Sequence, residues 1–485
     1  MSQPHPAQAK TTALKSVAQN LLLDMETRPH KSRRRAVNTK PFPEGVSMNE
    51  ATRTGFRRRF KTTGLRALTT ALALTAGSAF AADTIKVGVL HSLSGTMAIS
   101  ETTLKDTVLM LIDEQNKKGG LLGKKLEAVV VDPASNWPLF AEKAKELLVK
   151  DKVDVIYGCW TSVSRKSVLP VIEEANGLLF YPVQYEGEES SKNVFYTGAA
   201  PNQQAIPAVD YLMKDVGVKR WVLAGTDYVY PRTTNKILEA YLKSKGVAAE
   251  DIMINYTPFG HSDWQTIVSD IKKFGSAGKK TAVVSTVNGD ANVPFYKELG
   301  NQGISAENIP VVAFSVGEEE LSGFDTSPLV GHLAAWNYFM SVDAPENAAF
   351  IKQWHAFIKD PKRVTNDPME ATYIGFNLWV KAVEKAKTTD VDAVRKAIYG
   401  LSVPNLTGGK AVMLPNHHIT KPVLIGEIQA NGQFEVVWKT DKEVPGDAWT
   451  DFLPESAKIT SDWQDPAINC GNYNTATKTC SGQNY

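Results

Sequence analysis

Cysteine is scarce in this chain. Its 485 residues hold three, at Cys159, Cys470 and Cys480, and no Cys-x-x-Cys pair among them. That removes the usual thiol zinc sites and thioredoxin-type redox chemistry. No His-Glu-x-x-His occurs, and the eight histidines are scattered apart from His417-His418. Adjacent histidines cannot share one helix face, so that pair is a poor metal site. A Gly-x-Gly-x-x-Gly after the first strand, a Walker-type Lys-Ser/Thr loop and a Gly-x-Ser-x-Gly elbow are also missing. Nucleotide binding therefore lacks its phosphate cradle, and hydrolysis lacks a nucleophile with its base. No metal and no cofactor is implied, and an enzyme reading has nothing to stand on. Long apolar runs are absent too: Ala67 to Ala76 is too short and too rich in Thr to span a bilayer.

What is present is a soluble composition, 43% apolar and 22% charged, in a chain long enough for two lobes. The charge is uneven. Residues 1–81 carry 14 of the 54 Lys and Arg but 4 of the 52 Asp and Glu, leaving 40 against 48 for the rest. An acidic main body argues against nucleic acid as a partner. The basic front reads as targeting: Arg53, Arg57, Arg58, Arg59, Lys61 and Arg66 precede the apolar run, and Ala79-Phe80-Ala81 offers a cleavage site before Ala82. Residues 48–81 are thus the expected signal peptide, with export by either route open, and 1–47 an upstream extension, disordered or not made. Cys470 and Cys480 flank a short Gly/Asn/Thr segment and can pair in an oxidising compartment or remain free. Cys159 reads as a packed thiol.

From Ala82 the pattern alternates strand and helix, as in doubly wound parallel sheets. Strands are expected at Thr84 to Leu90, Lys125 to Val131, Val153 to Tyr157 and Leu178 to Tyr181, with helices from about Thr102 to Lys117 and from Leu139 to Lys150. The segment from Phe195 reads as a crossing, with Asn202 capping the next helix. The alternation restarts with strands at Trp221, Ile252, Ala282 and Val311. Val330 to Tyr338 reads as a second crossing, three helices follow, and Thr407 to Lys439 holds a third crossing and a strand pair. The expected lobes are 82–200 plus 335–420 and 201–334 plus 421–485.

Strand-end loops rich in hydroxyls, amides and aromatics converge in such an arrangement. They are Trp160-Thr161-Ser162, Tyr181 with Gln184-Tyr185, Asp227-Tyr228-Val229-Tyr230, and Asn288-Gly289-Asp290. The turn at Trp160 to Ser162 opens a helix, whose free N–H groups suit an acceptor such as a carbonyl oxygen. Tyr and Trp sandwich flat ligands, while Asp290 and the amide oxygen of Gln184 suit ligand N–H groups. Capping and ordinary packing are the alternatives for each residue taken singly.

At these loops the chain resembles the leucine-binding-like family of periplasmic solute-binding proteins, and within it the urea binders of ABC urea transporters. The resemblance covers about Ala82 to Trp449. It rests on Ile85 to Gly95, Asn116 to Gly123, Gly158-Cys159-Trp160-Thr161-Ser162, Tyr181 to Gly187 and Asp227 to Arg232. It implies the type I periplasmic binding protein fold, α/β, with two doubly wound lobes, three crossover segments and a ligand cleft. It also implies a periplasmic location, delivery of solute to an inner-membrane permease, and ligand contacts at Trp160, Thr161, Ser162, Tyr181, Gln184, Tyr185, Tyr230 and Asp290. Tyr228 and Glu370 are weaker candidates. Amino-acid binders of the family carry a Thr-containing turn at the second loop. Here it is Val183-Gln184-Tyr185, which favours urea or another small neutral amide over an amino acid, with the amino-acid receptor as alternative.

Overall fold

Ile85, Val87 and Val89 are buried on the strand Ile85–Leu90 (β1), which lies second in a sheet of five. The computed structural model describes residues 84–323 and 325–453, with the short antiparallel pair Tyr473–Asn474 and Thr479–Cys480. The expected signal peptide and the upstream extension fall outside the described residues, as does Cys470 and with it the Cys470–Cys480 pairing.

The first sheet adds Leu126–Val131 (β2), Val155–Gly158 (β3), Leu179–Tyr181 (β4) and Val194–Tyr196 (β5). Its order is β2-β1-β3-β4-β5 and every pair is parallel. Helices Ala98–Lys117 (α1), Trp137–Lys145 (α2) and Ser162–Glu174 (α3) connect its first strands. α1 buries Leu104, Val108 and Leu111, a helical spacing. It starts at Ala98 rather than near Thr102, and the chain leaves it through Gly119 and Gly120 at φ 110° and 85°. A Cβ on Gly120 would lie 2.0 Å from the Lys124 carbonyl, so only glycine fits that turn.

The second sheet holds Arg220–Thr226 (β6), Ile252–Thr257 (β7), Thr281–Thr286 (β8), Val311–Ala313 (β9) and Leu333–Trp336 (β10), mutually parallel. Its helices are Ala205–Tyr211 (α4), Val229–Ser244 (α5), Gln265–Gly275 (α6), Asn292–Asn301 (α7) and Glu318–Ser322 (α8). The segment read as a second crossing thus contains a strand, which β9 and a later antiparallel neighbour recruit. The return to the first sheet begins after Trp336, not at 335.

Pro345–Ile358 (α9), Asp367–Ala386 (α10) and Val391–Ile398 (α11) then pack on the first sheet, sharing one core with its strands. Asn366 caps α10 through the Met369 N–H at 3.2 Å, with Pro368 in its first turn. A hairpin of Ser402–Pro404 (β11) and Lys410–Val412 (β12) precedes Thr420–Lys421 (β13). Leu424–Ile428 (β14) and Phe434–Lys439 (β15) complete the second sheet, β14 antiparallel to β10 and β15 antiparallel to β14. Its order is β15-β14-β10-β9-β8-β6-β7.

The chain after β15 does not stay on that sheet. Val444–Pro445 (β16) pairs with β13, and the Glu188 N–H reaches the Ala448 carbonyl beside the loop after β4. Asn202 does not cap a helix: its side chain donates to Pro445 O at 2.8 Å and accepts from Asp447 N at 3.1 Å.

The passages between the sheets are tied together. Asn337 Nδ2, on the second, donates to Gln203 O at 2.9 Å on the first and to Pro422 O at 2.6 Å on the third. Lys421 Nζ donates to Thr197 O at 3.2 Å and lies 3.2 Å from Glu370 Oε2 and 3.8 Å from Asp367 Oδ2. No helix among the described residues is long and apolar enough to cross a membrane.

Candidate ligand-binding cleft

β3 ends at Gly158, and Cys159 takes the left-handed region at φ 67°, turning the chain into α3. Cys159 is buried, and burial pushes its thiol well up, as suits a packed group. The Thr161 hydroxyl accepts the Ser164 N–H at 3.1 Å and caps α3. Ser162 Oγ donates to Glu186 Oε2 and accepts from Arg165 Nη1 at 3.0 Å. From the end of β4, the Tyr181 hydroxyl donates to Trp160 O at 2.5 Å, locking the two loops together.

Beneath these loops lies a buried ionic layer. Arg165 Nε donates to Glu189 Oε1 at 2.7 Å and Nη2 to Glu186 Oε1 at 3.2 Å, while Lys166 Nζ meets Glu189 Oε2 at 2.6 Å. The Arg165 guanidinium sits 4.7 Å from the ring centres of both Tyr181 and Tyr185. Burial alone would raise the Glu189 carboxyl, but Arg165 and Lys166 outweigh it and hold it well below the usual carboxylate range.

The second sheet supplies the opposite wall. Trp160 Nε1 reaches Asn288 Oδ1 at 3.4 Å after β8. Gln184 Nε2 donates to Phe314 O at 2.7 Å and Ser315 Oγ at 2.9 Å after β9. Farther along, Ser100 Oγ donates to Glu320 Oε1 at 2.5 Å, and the Trp137 and Phe259 rings lie 5.2 Å apart. The two walls are closed on each other. Gln184 Oε1 and the Tyr230 hydroxyl, on these facing loops, have no hydrogen-bond partner among the described residues. The Tyr230 phenol, raised by burial, stands beside Gln184 and Ser315 without bonding geometry to either. Tyr228, 6.1 Å from the Tyr230 ring, has its phenol raised by burial and by Tyr230, Tyr181 and Glu186 nearby.

A family model for the periplasmic binding protein domain matches residues 85–455. The chain belongs to the periplasmic binding protein family. A relative from Brucella melitensis named Leu/Ile/Val-binding protein homolog 6 is 26% identical over 373 residues, 74% of this chain and 92% of that one. Among solved structures, an amino acid ABC transporter substrate-binding protein from Pseudomonas fluorescens Pf-5 aligns at TM-score 0.65 and 19% identity, covering 79% of this chain and 100% of that one. A solute-binding protein of an ABC transporter from Rhodopseudomonas palustris HaA2, in complex with p-hydroxybenzoic acid, aligns at TM-score 0.64 and 21% identity, covering 75% and 98%. These structures establish the type I fold.

In this periplasmic binding protein, the cleft brings together Trp160, Ser162, Tyr181, Gln184, Tyr228 and Tyr230. Four expected contacts stand differently. Thr161 spends its hydroxyl as a cap. Tyr185 turns under its loop, its hydroxyl 2.6 Å from His418 Nε2 and its ring stacked 4.9 Å from Tyr196. Asp290 is exposed at the rim, where its N–H meets Thr96 O at 3.4 Å, because the short turn Gly289–Ala291 carries it outward. Glu370 lies at the crossings against Lys421. His417 and His418 are buried with separate partners, and burial lowers them to about 3 and about 4. Arg165, Glu186 and Ser315 were not singled out from sequence. A groove of about 750 Å³ lined by Asp343, Thr407, Leu424, Phe434 and Glu443 among others holds none of the cleft residues.

α8 carries Glu318, Glu319 and Glu320 into the contact between the halves. Glu318 Oε1 accepts the Met340 N–H at 2.6 Å, and its Oε2 has no partner. Burial pushes its carboxyl to about 8, with Glu320 and Asp367 adding to the rise, and burial pushes Glu319 to about 7 against the pull of Arg363. A carboxyl raised on folding stabilises fully below the unfolded value of 4.5 and loses that contribution as pH climbs through the folded value. Glu318→Gln is therefore expected to raise Tm at pH 8, by the equivalent of at least about 1 kcal/mol, and to leave it nearly unchanged at pH 4.5. Equal effects at both pH values in a thermal melt would refute the burial argument.

Proposed function

We propose that this protein is the exported solute receptor of an ABC importer and that its ligand is urea or a similarly small neutral amide. The observation that carries the ligand is the buried pair of unsatisfied groups, Gln184 Oε1 and the Tyr230 hydroxyl, inside a cleft walled by Trp160, Tyr181 and Tyr228. A buried acceptor left without a donor costs about 1–3 kcal/mol, and a ligand N–H recovers it. Urea offers two NH2 groups and one carbonyl. Tyr230 supplies a donor for the carbonyl, and the aromatic walls suit a planar molecule.

An amino acid or aromatic acid needs a cation or a set of free hydroxyl and N–H donors for its carboxylate, and here the Thr161 hydroxyl caps α3 while that of Ser162 serves Glu186. Arg165, the guanidinium nearest these loops, is already committed to Glu186 and Glu189. The second reading, a branched-chain amino acid receptor, is favoured by the name of the Brucella relative. Ligand would act by favouring the closed form, which the permease then receives. Calorimetry on the purified protein with urea, acetamide, formamide and leucine decides between the two. Urea is expected to bind and leucine not to. Leucine binding without urea binding reverses the conclusion.

A further inference from the structure

Glu186 was not among the residues expected to meet ligand, yet its position gives it a task there. It sits on the loop two residues beyond Gln184, which bridges to Ser315 on the opposite wall, and two before Glu188, whose N–H and carboxylate are bonded to Ala448 and Thr450. The loop is therefore fixed at both ends. Glu186 Oε2 takes the Ser162 hydroxyl at the first turn of α3, and Oε1 takes Arg165 Nη2. Arg165 is in turn clamped by Glu189, and both carboxylates are buried. Each carboxylate oxygen accepts about two hydrogen bonds. Among the described residues the protein supplies one donor to each, so both oxygens retain accepting capacity. Through Ser162 the carboxylate is tied to the turn that opens the cleft, and its charge adds to the rise of the Tyr228 and Tyr230 phenols.

We propose that Glu186 is the specificity-determining residue of the cleft: a charged acceptor, held by Ser162 and Arg165, that takes a ligand N–H and turns away ligand carboxylates. This rests on the amide reading of the site and deepens it. Gln184 Oε1 alone would accept from an amide but would not repel an acid of the same shape. Glu186 does both, because a hydrogen bond to a charged acceptor is stronger than a neutral one, while two carboxylates brought together in a buried site repel. Arg165 Nε and Lys166 both meet Glu189, and Arg165 reaches Glu186 only through Nη2 at 3.2 Å, so the charge of Glu186 is offset in part. An NH2 group is thereby preferred over O⁻ at the same position.

Acetamide and acetate have nearly the same shape and differ in that one group, so their affinity ratio is the readout. In the whole protein, wild type is expected to bind urea and acetamide and to show no acetate binding. Glu186→Gln is expected to weaken urea about 10- to 100-fold, the range for a hydrogen bond to a charged group. It should also narrow the acetamide-to-acetate preference at least about tenfold, because the repulsion is gone. Glu186→Asp keeps the charge against Arg165 but withdraws it by one methylene. It should lose urea affinity without gaining acetate, and it keeps the test usable if the Gln variant does not fold. A folded Glu186→Gln protein that loses affinity for every ligand in equal proportion, or keeps the wild-type ratio, overturns the assignment while leaving the amide reading intact. Wild type that binds leucine and no amide overturns both.

Discussion

Arg165→Met is expected to destabilise the protein by about 3–5 kcal/mol, the usual cost of removing one partner from a buried ion pair. The side chain is fully buried, and its guanidinium faces Glu186 and Glu189 together with the rings of Tyr181 and Tyr185. Methionine fills part of the volume but leaves two buried carboxylates with Lys166 as their remaining cation. The pH dependence gives the mechanism away. In wild type, the Glu189 carboxyl is held far below its unfolded value of 4.5, so its contribution is present above that value and is lost as pH falls. In the variant, burial no longer opposed by Arg165 lifts the Glu189 carboxyl, which becomes easier to bury as it protonates. The deficit should be largest near pH 8 and shrink toward pH 5. Guanidinium chloride or heat should be used to measure it, since urea is the expected ligand and would stabilise the fold by binding. A variant carrying Glu186→Gln and Glu189→Gln as well should recover part of the loss, because no buried charge is stranded. A deficit independent of pH would mean that Arg165 matters for packing alone.

Lys421→Met should cost nearly as much, at the crossings rather than the cleft. One ammonium there faces the two buried carboxyls of Asp367 and Glu370, one helical turn apart on α10. Burial lifts both carboxyls, to about 7 for Glu370, although Lys421 pulls the other way. With one cation for two acids, one carboxyl of the pair retains its proton to higher pH. Removing Lys421 leaves both without compensation. Stability is then fully present below the unfolded carboxyl value of 4.5 and falls as pH rises through 7, more steeply than in wild type. Thermal melts at pH 5.5 and pH 8 read this directly. An equal loss at both would show that Lys421 acts mainly through its bond to Thr197 O.

The alternation of the chain was readable because its strands are short β-branched and aromatic runs, such as Val153 to Tyr157, separated by helical spacing. The capped start of α10 was equally plain from Asn366, Pro368 and Glu370. What local pattern does not encode is which neighbour completes a hydrogen-bond ladder. Leu333 to Trp336 became a strand because β14, from almost ninety residues later, lies beside it. The same limit governed the cleft. Trp160, Tyr181, Gln184 and Tyr230 advertised themselves by type and strand-end position. Thr161 and Ser162 did too, but one hydroxyl caps its own helix and the other serves Glu186. Nothing local marks Arg165-Lys166 or Glu318-Glu319-Glu320 as buried, since charged side chains are seldom so. Their burial follows from partners on other elements, which no local window contains.

The three passages of the chain between its sheets also bear on how the molecule can come into being. Every strand of the first sheet is contained in residues 85–196, yet the aromatic cover over Tyr157 and Phe180 includes Phe376, 5.7 Å from Tyr157. The second sheet waits for β14 and β15 in turn. Neither half is a continuous piece of polypeptide, so neither completes its core until the later elements have been made. Contacts of such long sequence separation make for slow, late folding. Full resistance to proteolysis is therefore expected only once residues 345–439 are available to cover both sheets.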